Sequence, residues 1–87
     1  MSKVIYKYEL YPERSGHTLN EGYQVLDVQM QGDIPVVWIL TEISNPIVST
    51  AFNIYGTGWN LPENPGKYIA TFQMDNNLVF HVFEELQ

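Results

Sequence analysis

The sequence predicts an all-β domain, a small antiparallel sandwich or barrel-like fold of about six strands. Three observations carry this. Short segments alternate apolar and polar residues with the period of two that a half-buried strand requires, clusters of Gly, Pro, Asn and Asp separate them, and no window of a dozen residues has the 3.6-residue period of an amphipathic helix. Val4, Tyr6, Tyr8 and Leu10 alternate with Lys3, Ile5, Lys7 and Glu9 as a first strand. Tyr11 to Gly16 breaks the pattern with Pro, Ser and Gly, and no helical period is sustained up to Gly22, so residues 11–22 read as a loop. From Tyr23 to Gln31 the inward set is Leu26, Val28 and Met30, and Gly32-Asp33 turns the chain into a partner strand from Ile34 to Glu42. After the break at Ile43–Pro46, Val48 to Tyr55 forms a strand with Val48, Thr50, Phe52 and Ile54 on one side. Lys67 to Met74 alternates Tyr68, Ala70, Phe72 and Met74 against Ile69, Thr71 and Gln73, and Asp75-Asn76-Asn77 turns into a last strand, Leu78 to Glu84.

Two strands are apolar on both faces: Ile34, Val36, Trp38 and Leu40 are opposed by Val37 and Ile39, and Leu78, Phe80 and Val82 by Val79, His81 and Phe83. One face of a small antiparallel sheet normally meets water, so these need a second layer within the chain or the surface of a partner. A closed sandwich would hide them internally. The other solution is a homo-oligomer, most simply a symmetric dimer, with Trp38, Phe80, His81 and Phe83 at the interface.

Eighty-seven residues support a single domain, 1–87, because a chain this short buries only ~60% of the surface that its unfolded form exposes. At 45% hydrophobic and 16% charged residues it is too apolar to remain disordered. Without cysteine there is no disulfide, thiolate nucleophile or Cys-based metal site, so packing must supply stability. The start, Met1 to Leu10, alternates charge with apolar groups, unlike a signal peptide or a membrane span, and predicts a cytosolic protein. The net charge of −6, with only Lys3, Lys7, Arg14 and Lys67 as cations, opposes binding to a nucleic-acid duplex.

The chemistry-bearing residues are sparse. His17 and His81 lie far apart without a second ligand at metal spacing, so no metal and no cofactor is expected. His81, between Phe80 and Val82, reads as a hydrogen-bonded structural or interface histidine. No nucleophile-elbow pattern accompanies it, and Glu84 and Glu85, adjacent on a strand, point to opposite faces as surface charges, so no enzymatic activity is expected. The stretch NIYGTGWNLPENPG, residues 53–66, has two readings. Gly56 and Gly58 permit a sharp exit from the preceding strand, with Pro62 and Pro65-Gly66 stiffening the loop. Alternatively, Gly56, Thr57 and Gly58 aim backbone N–H groups into an anion-binding concavity, beside Trp59 and Asn60, a flat aromatic and an amide suited to stacking on and reading a base or a sugar.

Tyr6-Lys7-Tyr8-Glu9-Leu10, Val25-Leu26-x-Val28, Trp38-x-Leu40, Gly56-Thr57-Gly58, Phe72-Gln73 and the closing Leu78-Val79-Phe80-His81-Val82-Phe83-Glu84 together resemble a family of short proteins encoded by bacteriophages and prophages. The likeness spans nearly the whole chain, and the family pattern has His where Trp59 stands here. The resemblance implies a viral protein acting in the host bacterial cytoplasm. It suggests a counter-defence sponge that sequesters a nucleotide-derived host signal at Gly56–Asn60, with Arg14 and Lys7 as helpers. The alternatives are a protein-protein inhibitor of a host protein and a structural or assembly accessory protein of the phage.

Overall fold

The computed structural model describes residues 2–85; Met1, Leu86 and Gln87 lie outside the described residues. Seven strands run in the order β1 (Lys3–Glu9), β2 (Arg14–Asn20), β3 (Gln24–Gln31), β4 (Ile34–Glu42), β5 (Ile47–Gly56), β6 (Lys67–Gln73) and β7 (Val79–Glu84). They form a three-stranded sheet, β1-β4-β3, and a four-stranded sheet, β2-β5-β7-β6, with every pairing antiparallel. One apolar cluster joins the two: Val28, Val37 and Ile39 from the first sheet meet Leu19, Phe52, Ile54, Phe72 and Val82 from the second. The fold is therefore a sandwich, whose facing layers bury apolar side chains from both sheets. Among the described residues no helix is long and apolar enough to cross a membrane.

Both hairpins form where the turn residues predict them. Gly32, at φ +61°, begins the two-residue connection between β3 and β4, and Asn77, at φ 64°, takes the left-handed position between β6 and β7. Residues 11–22 are not a simple loop. They contain β2, whose inward set is Ser15, His17 and Leu19. Its inward positions are mostly polar, so apolar alternation could not reveal it. Ser15 is buried because its Oγ accepts from the Tyr11 N–H at 2.6 Å and donates to the Tyr11 carbonyl at 3.0 Å. The His17 ring packs 5.1 Å from Tyr8 and 6.1 Å from Phe52, and burial lowers its pKa.

Two bulges shift the faces that strict alternation predicts. In β3 the register slips between Val25 and Asp27, so Tyr23 and Val25 pack inward, Leu26 turns outward, and Val28 and Met30 point inward again. In β6 it slips between Tyr68 and Ala70. Ile69, Ala70 and Phe72 pack against the core while Tyr68 lies on the outer face, 55% exposed.

The apolar surplus of the two-faced strands is divided. Val37 and Ile39 of β4, and Phe80 and Val82 of β7, face the core, so Phe80 belongs to the interior, stacked on Phe72 at 5.6 Å, and not to an outer interface. On the outer face of β4, Val36 is buried and Trp38 and Leu40 are half-buried, beneath a Lys7–Gln31 hydrogen bond of 2.7 Å that joins the flanking strands. On the outer face of β7, His81 and Phe83 are half-buried near the ten-residue connection from Thr57 to Gly66. This connection joins β5 to β6, which are parallel with β7 between them.

A polar tie holds the sheets together. The Tyr23 hydroxyl, in the β2–β3 connection, donates to the Glu84 carboxylate and lies 3.1 Å from Thr50 Oγ1. Glu84 is therefore half-buried and engaged across the sheets, whereas Glu85 points outward to Arg14, so only the second is a surface charge. Burial and the Glu84 hydrogen bond push the Tyr23 pKa up to about 12 from 10.0. The neutral phenol is favoured in the folded state, so its stabilisation is complete below pH 10 and is lost as pH rises towards 12. Stability followed by urea denaturation should fall across that window, and Tyr23→Phe should flatten the fall.

Candidate functional site

The outer face of the four-stranded sheet carries a recess of about 310 Å³, at the lower end of the size range of small-molecule sites. Its floor comes from Tyr55 on β5, His81 and Phe83 on β7, and Tyr68 on β6, with Thr57, Gly58, Trp59 and Leu61 forming the wall. Strand alternation brings the floor together: Tyr55 pairs with His81 and Tyr68 with Phe83 across adjacent strands, so all four project to the same side. Phe83 is flanked edge-on by Tyr55 at 5.8 Å and by Tyr68 at 5.7 Å.

A string of hydrogen bonds crosses this floor. Thr57 Oγ1 is 2.8 Å from His81 Nε2, His81 Nδ1 is 2.9 Å from Thr71 Oγ1, and Thr71 Oγ1 is 2.8 Å from the Tyr68 hydroxyl. Thr57 also donates through its hydroxyl to the Val79 carbonyl at 3.1 Å. His81 is thus fixed from both sides by neutral hydroxyls.

The glycines shape the wall. Gly58, at φ +88°, sits in a turn closed by a 3.1 Å hydrogen bond from the Trp59 N–H to the Gly56 carbonyl. Gly56 makes room for Trp59: a Cβ there would lie 2.5 to 3.0 Å from three atoms of the indole, which also packs edge-on to Phe80 at 6.1 Å. The Thr57 N–H donates to the Val79 carbonyl. One of the three amides that an anion concavity would use, that of Thr57, is therefore engaged by β7, and the stretch serves as the exit from β5 and as a wall of the recess.

The sequence-predicted residues separate into three places. Gly56, Thr57, Gly58 and Trp59 line the recess together with His81 and Phe83, while Asn60 is exposed beyond it. Arg14, at the edge of the same sheet, donates to Glu85 at 2.7 and 3.2 Å. That guanidinium, with the Asn53 amide, holds the Glu85 carboxyl below the ordinary carboxylate range. Lys7 and Trp38 are on the other sheet. Tyr55, Tyr68, Thr71 and Leu61 complete the site and were not singled out from the sequence. Tyr55 was accessible to it, since alternation from Phe52 and Ile54 leaves Tyr55 on the outer side; Tyr68 was hidden by the Ile69 bulge.

Among the described residues no group of three or more His, Asp or Glu is arranged to hold a metal ion. A larger depression of about 430 Å³ between β3 and β6 is lined by Tyr23, Asp27, Lys67 and Glu84, but Tyr23 and Glu84 are already paired with each other there.

A protein family described as a domain of unknown function (DUF7352) matches residues 1–87. The chain belongs to this DUF7352 family. No curated protein and no solved structure matches it. The site of this DUF7352 domain is therefore defined by its own geometry: an aromatic floor lined by no Asp, Glu, Lys or Arg, a doubly hydrogen-bonded histidine, and a wall formed by the β5–β6 crossover.

Proposed function

We propose that this protein is a non-enzymatic binding protein that captures a nucleotide-derived small molecule by its base, stacking the flat ring in the outer recess and leaving any phosphate in solvent. The observation that carries this reading is the convergence of Tyr55, Tyr68 and Phe83 around one set of hydrogen-bonding groups, Thr57, His81 and Thr71. Aromatic faces stack on any base, at about 1–3 kcal/mol per base. Electrostatics favours holding the base over the phosphate, because the chain has net charge −6 and Arg14 is engaged by Glu85. His81 stands between two threonine hydroxyls, and among the described residues no carboxylate hydrogen-bonds to it, which supports binding without chemistry at Thr57. With the resemblance to bacteriophage and prophage proteins, the role becomes that of a counter-defence sponge for a host signal.

Titration calorimetry against nucleosides, cyclic di- and trinucleotides and ADP-ribose derivatives tests the reading. A ligand that binds and is recovered chemically unaltered supports it; heat from none, or recovery of a hydrolysed product, overturns it. Tyr55→Ala should weaken binding at least fivefold, the lower bound of one lost stacking contact, and leave a cooperative melting transition. Unchanged affinity would move the site elsewhere.

We propose further that the outer face of the three-stranded sheet pairs with a second copy, because Ile5 and Leu26, 58% and 43% exposed, flank half-buried Trp38 and Leu40 there. Sedimentation of a lone protomer at tens of micromolar would remove this reading.

A further inference from the structure

We infer that the hydrogen-bonded string in the recess has one fixed polarity, and that it selects a ring bearing an N–H or O–H donor; this rests on the recess being the binding site proposed above. The direction is set at its inner end. Thr57 Oγ1 lies 3.1 Å from the Val79 carbonyl oxygen, which can only accept, so the threonine hydrogen points there. A hydroxyl has one hydrogen. At the 2.8 Å contact with His81 Nε2, Thr57 must therefore accept, and Nε2 carries the proton.

A neutral imidazole protonated on Nε2 presents Nδ1 as an acceptor. Thr71 Oγ1, 2.9 Å from Nδ1, is then the donor, and having used its only hydrogen it accepts from the Tyr68 hydroxyl at 2.8 Å. Four hydrogens thus run in one direction, from Tyr68 to the Val79 carbonyl. What remains for a ligand at the outer end is the lone-pair side of the Tyr68 oxygen, on a side chain that is 55% exposed and lines the recess. Tyr68 offers an acceptor and no donor. A base with an exocyclic amino group complements it, whereas the same ring with only acceptors meets lone pairs with lone pairs.

Adenosine and purine riboside make the comparison, since both are uncharged and differ only in the amino group on the base. Calorimetry should give tighter binding of adenosine by roughly three- to tenfold, the range of one neutral hydrogen bond. Tyr68→Phe removes the acceptor and should make the two nucleosides bind alike. Independently of any ligand, a long-range proton–nitrogen correlation spectrum should report the His81 tautomer with hydrogen on Nε2. Hydrogen on Nδ1, equal affinities in the unmodified protein, or a preference that survives Tyr68→Phe would each overturn the inference while leaving the recess a binding site. No heat from either nucleoside also overturns it, whereas silence across the whole ligand panel overturns the binding reading itself.

Discussion

Replacing Phe52 with alanine is expected to lower the unfolding free energy by about 3–5 kcal/mol, the range found when a large aromatic is removed from a packed core. Phe52 is fully buried at the middle of β5, inside the cluster that joins the two sheets, and its ring neighbours His17 of the edge strand β2. Removing the ring takes support from both layers at once. With about 0.05–0.15 kcal/mol of stability per residue, a domain this small has roughly 4–13 kcal/mol in total, so the loss approaches the lower bound. No disulfide offsets it. A urea titration should show a much lower midpoint with an unchanged slope. Ser49→Ala, on the exposed side of the same strand, should change little. A drop below 1 kcal/mol for Phe52→Ala would mean that the sheets do not depend on this contact.

How far the sequence reveals this fold depends on where alternation is regular. β4 and β7 are legible because unbroken apolar runs are bounded by turn residues, and Gly32 and Asn77 mark their hairpins by positive φ. β2 is not, because Ser15 and His17 occupy inward positions that hydrophobicity assigns to loops; only the local hydrogen bonds to Tyr11 make Ser15 a buried residue. The bulges at Leu26 and Ile69 are silent for a related reason. An extra residue reverses the phase of all that precede it, and an apolar side chain at the bulge looks like any other member of the strand.

The candidate site inherits the same limits. The wall, Gly56 to Trp59, stands out by composition, whereas Tyr68 of the floor lies beyond the Ile69 bulge, on a strand pair, β6 with β7, whose register fixes which side it takes. Long-range pairing also decides the polar string. Thr57, Thr71 and His81 are scattered in sequence, and they meet because β7 lies between β5 and β6.

Gly66→Ala should cost about 3 kcal/mol and disable the recess as well, because Gly66 is where the crossover returns to the sheet. Its φ of +101° lies in a region that side chains rarely adopt, a strain of about 1–3 kcal/mol by itself. A Cβ would also stand 2.2 Å from the Glu84 carbonyl oxygen, 3.0 Å from its carbon and 3.3 Å from the Glu85 Cα. All three are backbone atoms, so no rotamer change relieves the clash and either the crossover or the end of β7 must move. Gly58→Ala separates the two contributions: its φ of +88° carries the conformational strain, but nothing lies within 4 Å of the added carbon. The alanine at 66 should therefore be the more damaging by thermal melting. Displacement there shifts Leu61 and the rest of the wall away from Tyr55 and Phe83, so binding should weaken more than the loss of stability alone explains at temperatures where the variant remains folded. Equal melting temperatures for the two variants would show that the crossover does not rest on the end of β7.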